Sequence, residues 1–244
     1  MASCWKHWIL ASFALATSGI IGCGGGAPPA NIASGETDPQ APAVEGPAAA
    51  GTGVALSVPE GTFPTPELPP PPDLHPTVRI KTNQGTIVVK LDRENAPITV
   101  ENFLANYVNA GFYNGTLFHH VQKGGMLIAG GIGADRQKKQ TRAPIFNEAL
   151  RTGSNRRGTI AMSRDPGDVH SATSQFFFNL ADNAALDHKG VESPEDYGYT
   201  VFGEVVDGLD VLDKIGGVAV HEADGFPSIP VEPVTIQSVE KVEK

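Results

Sequence analysis

Ser171-Ala172-Thr173-Ser174-Gln175-Phe176-Phe177-Phe178-Asn179 sets three aromatic residues directly after a Gln, with a run of small polar residues leading in. On a strand, side chains alternate between the two faces. Gln175 and Phe177 then point one way, and Phe176 and Phe178 the other. The first face supplies an apolar pocket floored by Phe177 with a hydrogen-bonding amide beside it. The second is core. Short strands are expected around this one at 116–121, 126–129, 159–162, 175–180, 201–205 and 234–239. Val78, Ile80, Ile87, Val89 and Leu91 alternate with polar residues on either side of Asn83-Gln84-Gly85, which reads as a hairpin. Pro97 opens a helix, Val100, Phe103, Leu104, Tyr107 and Val108 recur at helical spacing, and Gly111 ends it. A second short helix fits 209–215 before Gly216-Gly217. Many short strands with few helices predict an all-β-dominated domain, a closed antiparallel barrel.

The chain has 244 residues and a formal net charge of -9, which argues against a nucleic-acid partner, since that would want a basic face. Its two cysteines, Cys4 and Cys23, both precede the periodic region, so no disulfide staples the domain and no thiolate zinc site can form in it. His119 and His120 are adjacent on an expected strand and would face opposite sides, so no metal site is expected. Gly130-Gly131-Ile132-Gly133 lacks the third glycine of a dinucleotide loop, and no cofactor is expected.

The N-terminus is read as an export signal over 1–22, with Lys6 ahead of an apolar stretch at 9–21. Ile20-Ile21-Gly22-Cys23 resembles a bacterial lipoprotein signal, in which Cys23 becomes the lipidated first residue. An ordinary cleaved signal with an incidental Cys is the alternative. Residues 23–75 change character: 13 of the 20 prolines lie between Pro28 and Pro76, including Pro69 to Pro72. Such a segment buries too little apolar surface to offset its ordering entropy, and its Pro run favours an extended spacer. It is read as a tether, with a ligand for a proline-binding groove as the alternative. Residues 76–244 form the globular domain.

In that domain, Gly85-Thr86-Ile87, Ala96-Pro97 through Asn102-Phe103, Gly111-Phe112-Tyr113, Phe118-His119, Gly158 through Met162, Ser174 through Phe177, Leu186-Asp187 and Val201-Phe202-Gly203 occur in an order that resembles the cyclophilin family. The resemblance runs from about Val78 to Val239. It implies an eight-stranded antiparallel barrel capped by two helices, and prolyl cis–trans isomerase activity. It also implies that Met126, Phe177 and Leu186 line the proline pocket, that Gln175 orients the substrate backbone, and that Tyr199 stands where members carry His or Tyr.

Several positions depart from the family. His120 stands where the family has its catalytic Arg, Gly125 where it has a Phe, Ile128 where it has a Gln, and Ala185 where many members have an aromatic. Ser163 and Arg164 fall on the substrate side. Three readings follow. His120 donates the catalytic hydrogen bond, or Arg164 supplies the charge from a neighbouring strand, or the site is a non-catalytic proline-peptide binding module. The expected setting is a monomer at the cell envelope, lipid-anchored through Cys23, acting on Pro-containing segments of exported proteins. A scaffold for an envelope complex is a weaker third possibility.

Overall fold

Strands β1 (Thr77–Thr82) and β2 (Gly85–Leu91) make the first hairpin of the computed structural model, which describes residues 72–242. Thr82 Oγ1 accepts from the N–H groups of Gln84 (3.0 Å) and Gly85 (3.1 Å) and fixes the two-residue turn. Val78, Ile80, Ile87, Val89 and Leu91 are all buried, as their alternation requires. The expected signal, Cys23 and nearly all of the tether lie outside the described residues. Among the described residues no helix is long and apolar enough to cross a membrane.

Helix α1 (Pro97–Glu101) continues as a π-helical stretch, Asn102–Val108, burying Val100, Phe103, Leu104, Tyr107 and Val108. Ala96 has no side-chain oxygen to cap it. The Glu148 carboxylate accepts instead from the N–H groups of Ile98 (3.1 Å) and Thr99 (2.8 Å), satisfying two orphan donors of the first turn. Two further helices are short: α2 (Pro194–Tyr197) and α3 (Leu209–Gly216).

The remaining strands are β3 (Thr116–Leu117), β4 (His120–Val121), β5 (Met126–Ala129), β6 (Thr159–Met162), β7 (Phe176–Asn179), β8 (Val201–Asp207), β9 (Val220–Ala223), β10 (Phe226–Pro230) and β11 (Thr235–Val242). They form a curled antiparallel sheet in the order β3-β11-β1-β2-β8-β6-β7-β5-β4, and β9 and β10 form a separate pair. The main sheet is a curled, open order of nine strands where a closed barrel of eight was expected, and the ninth arises because the single strand expected at 116–121 is broken. Phe118 N–H donates to Val234 O (2.9 Å) and His119 N–H to Ile128 O (3.1 Å). The two ends of the sheet order, β3 and β4, are therefore consecutive pieces of one bent segment that hydrogen-bonds in both directions.

Phe176 and Phe178 enter the main core. Phe176 meets Phe103 and Tyr113 edge-on at 5.8 and 5.4 Å between ring centroids. This geometry suits the ring quadrupoles and adds ~0.5–1.5 kcal/mol per pair beyond area burial. Phe177 leaves to the other side of the sheet, into a separate cluster.

Candidate functional site

Residues that sit opposite each other in an antiparallel ladder share a face. His120 is opposite Ile128, Ile128 opposite Phe177, Phe177 opposite Ala161, and Ala161 opposite Val201. One row of side chains thus crosses β4, β5, β7, β6 and β8 on the face away from the main core. Phe177, Ala161 and Val201 are its buried floor, and Met126, Ile128, Leu186 and Tyr199 pack around them half-buried. The Tyr199 ring stands edge-on to Phe177 at 5.7 Å. The fold therefore gathers four of the sequence-predicted residues, Met126, Phe177, Leu186 and Tyr199, into one apolar patch, with His120 at the end of the same row.

Gln175 lies two residues before Phe177 and on its face. Its carbonyl accepts from Ser163 N–H (2.9 Å), and its side chain lies across Gly131. A Cβ at position 131 would stand 2.4 Å from Gln175 Cγ, so only glycine lets the amide occupy that place. Leu186 is held from behind: Asn155 Nδ2 donates to its carbonyl (3.1 Å), and Tyr199 N–H does so at 3.0 Å. Asn155 is fully buried; its N–H donates to the Asp187 carboxylate (2.7 Å), and Asn179 Nδ2 donates to its side-chain oxygen (3.3 Å). Asn183 Nδ2 bridges Asn179 Oδ1 (2.7 Å) and Gly125 O (3.2 Å). Burial raises the Asp187 pKa, but the donors of Asn155 and Ser154 outweigh it and hold the carboxyl below its usual range. These asparagines position the pocket rim, and the sequence reading had passed them over. Asn179, closing the Phe-Phe-Phe-Asn run, was the one visible signal.

Arg164 is placed differently from the expectation. It is buried, and its guanidinium packs over the Tyr199 ring at 4.5 Å. Its donors go to the carbonyls of Gly198 (3.0 Å), Asp165 (3.0 Å), Pro166 (3.2 Å) and Pro194. The side chain clamps the loops beneath Tyr199 rather than offering its fork to the pocket.

His120 is 8% exposed, and its Nδ1 is 2.9 Å from Ser228 Oγ on β10. Burial lowers its pKa below the usual histidine value, so the ring is neutral at pH 7. The opposed faces expected for His119 and His120 rested on an unbroken strand. With the break, both rings meet β10: His119 lies edge-on to Phe226 at 5.8 Å. His119 is buried as well, and desolvation lowers its pKa to about 4. Among the described residues no group of three His, Cys, Asp or Glu side chains could hold a metal ion.

At the departures from the family, Gly125 is covered by Gln122, whose Cδ would lie 2.6 Å from a Cβ there, and Ala185 is exposed on the rim. A cleft of about 370 Å³ that shares Val201 with the apolar patch is rimmed by His75, Lys90, Asp92, Arg156 and Glu204. Its charged rim makes it the poorer host for an apolar ring.

A family model described as cyclophilin type peptidyl-prolyl cis-trans isomerase matches residues 77–241. Peptidyl-prolyl cis-trans isomerase A of Dickeya dadantii is 46% identical over 167 residues, covering 68% of this chain and 85% of the relative. Peptidyl-prolyl cis-trans isomerase B of Escherichia coli is 48% identical over 162 residues, covering 66% and 97%. The crystal structure of a cyclophilin type isomerase from Cryptosporidium parvum superposes with a TM-score of 0.58 at 22% identity, covering 70% of this chain and 99% of that one. This last likeness is one of fold.

Proposed function

The chain belongs to the cyclophilin type peptidyl-prolyl cis-trans isomerases, and we propose that it catalyses rotation about X–Pro bonds with His120 as the hydrogen-bond donor. The observation that carries this reading is the row from His120 to Val201, which puts one polar donor beside an apolar patch on a single face.

The chemistry asks for little else. The barrier to rotation, ~18–20 kcal/mol, comes from conjugation of the amide nitrogen with the carbonyl. In the twisted state the prolyl nitrogen recovers its lone pair and accepts a hydrogen bond. A donor aimed there stabilises the transition state and not the planar ground state. The ring of the proline rests on Phe177, Met126, Leu186 and Tyr199, and the Gln175 amide orients the substrate backbone. Arg164 keeps Tyr199 in place. A protease-coupled isomerisation assay on a succinylated X–Pro tetrapeptide tests the reading. A rate above the uncatalysed one that falls to background in His120→Ala supports it, and an unchanged rate in that variant rejects His120 as the donor.

The setting follows from the sequence. Lys6, the apolar stretch at 9–21 and Cys23 support an exported, lipid-anchored protein, and the Pro-rich segment up to residue 75 supports a spacer between membrane and domain. The substrates are Pro-containing segments of exported proteins at the cell envelope, and the protein acts as a monomer. Cys23→Ser should move the protein from the membrane pellet to the soluble fraction or block its processing, because several acyl chains hold far more firmly than none. A wild-type protein that is already soluble, with its mature N-terminus elsewhere, contradicts the anchor.

Weak cyclosporin inhibition is also expected. Family members lean on an aromatic beside the pocket Leu to bind the drug, and this chain has the exposed Ala185 there and Gly125 in the wall. Each lost contact forfeits about 25 cal/mol per Å² of apolar area. Tight binding in a calorimetric titration contradicts this view of the rim.

A further inference from the structure

The β9–β10 pair leans over β4 and is pinned at its turn and along one face. Asp224 and Gly225 both have positive φ (52° and 83°) and form its tight turn. Arg136 pairs with the Asp224 carboxylate from outside. Phe226 and Ile229 are buried with Leu117 and Ile132 in a small core of their own. Those two buried residues are three apart, a spacing that a regular strand would send to opposite faces. The ladder shows why: Phe226 is opposite Ala223 and Ile229 opposite His221, so β10 carries one extra residue there. A bulge of this kind re-aims a side chain. Ser228 lies in it, and its hydroxyl meets His120 Nδ1 at 2.9 Å.

We propose that Ser228 is a positioning residue for the isomerase reaction: its hydroxyl donates to His120 Nδ1 and so fixes the imidazole as the Nε2–H tautomer that faces the substrate. The proposal rests on His120 being the donor. A neutral imidazole has one N–H and one acceptor nitrogen, and which is which follows from the partner of the other. If Nδ1 carried the proton, Nε2 would be an acceptor and would repel the lone pair of the twisted prolyl nitrogen. With Ser228 donating, the single N–H is left at Nε2. The ring is also held in one orientation before the substrate arrives, so ordering it costs nothing at the transition state.

The test combines a spectrum with kinetics on the intact protein. Long-range ¹⁵N–¹H spectra at pH 7.5 should show His120 as the Nε2–H tautomer in the wild type and a mixture in Ser228→Ala. In the coupled assay Ser228→Ala should lower kcat by about five- to tenfold, the loss of one hydrogen bond, with KM unchanged. Ser228→Thr, which keeps the hydroxyl, should restore most of it. A hydroxyl that merely pinned the hairpin would alter stability without moving the tautomer. The proposal is overturned if wild-type His120 is protonated at Nδ1, a result that needs no variant. It is equally overturned if Ser228→Ala keeps full kcat while His120→Ala loses its activity. If His120→Ala itself keeps full activity, the underlying assignment of His120 fails instead.

Discussion

His120→Arg is expected to raise kcat/KM for an X–Pro peptide by about tenfold to a hundredfold. A neutral imidazole contributes one uncharged hydrogen bond. A guanidinium is charged at every working pH and brings five donors in a rigid fork. Hydrogen bonds to charged groups are worth ~1.5–3 kcal/mol, and each 1.4 kcal/mol off the barrier is about tenfold in rate. The pH dependence distinguishes the two side chains. Because burial lowers the His120 pKa, the wild-type rate should be level at alkaline pH and should change at a lower pH than an ordinary histidine would give, as the ring begins to charge in the folded protein. The Arg variant should show no such step. Equal or lower activity for His120→Arg, measured side by side with the wild type at pH 8, counts against the donor assignment.

Acid should destabilise the domain through His119. Its ring is buried between the bent segment and β10, and Nδ1 has no hydrogen-bond partner. Burial is the main cause of its lowered pKa; nearby His120 adds to it, and the Leu117 carbonyl and the Gln175 amide oppose it weakly. The sign follows from linkage. The unfolded chain binds this proton near pH 6.5 and the folded one only near pH 4, so stability is intact above 6.5 and is lost as pH falls between those values. At ~1.4 kcal/mol per pH unit the total loss is about 3 kcal/mol, a large share of the ~5–15 kcal/mol typical of a domain. His120 adds to it in the same direction. Urea midpoints taken from pH 7.5 to 4 should fall steeply in the wild type and less in His119→Phe. Parallel curves for the two proteins would exclude His119 as the origin.

The pocket face was legible because it depends on local rules. Alternation through Gln175-Phe176-Phe177-Phe178 separates pocket from core whatever the rest of the chain does. The first hairpin and the two longer helices were equally local. What escaped notice depends on partners far away. Nothing between Thr116 and Val121 announces a break, which arises because Val234 and Ile128 capture successive N–H groups from opposite sides. Arg164 looks like a free cation in the sequence and is occupied by carbonyls from two loops. Ser228 reaches His120 across 108 residues. The β9–β10 pair was missed for another reason. Its Asp224-Gly225 turn is a strong hairpin signal, but Pro227 and Pro230 in the second strand argue against pairing, and β9 is largely exposed with no apolar alternation.

The pairing of β1 with β11 sets the order in which this domain can be built. Thr77 is opposite Val242, so the first strand to emerge from a ribosome or a translocation channel waits for the last. Until then β1 holds only β2, and the edge that β11 will fill stays open to any extended chain that passes. Contacts of such long sequence separation make folding slow, since loop-closure entropy must be met before they form. The sheet therefore cannot be completed until the last strand is available. It can be threaded until its C-terminal strand is free, which suits the export proposed for this chain.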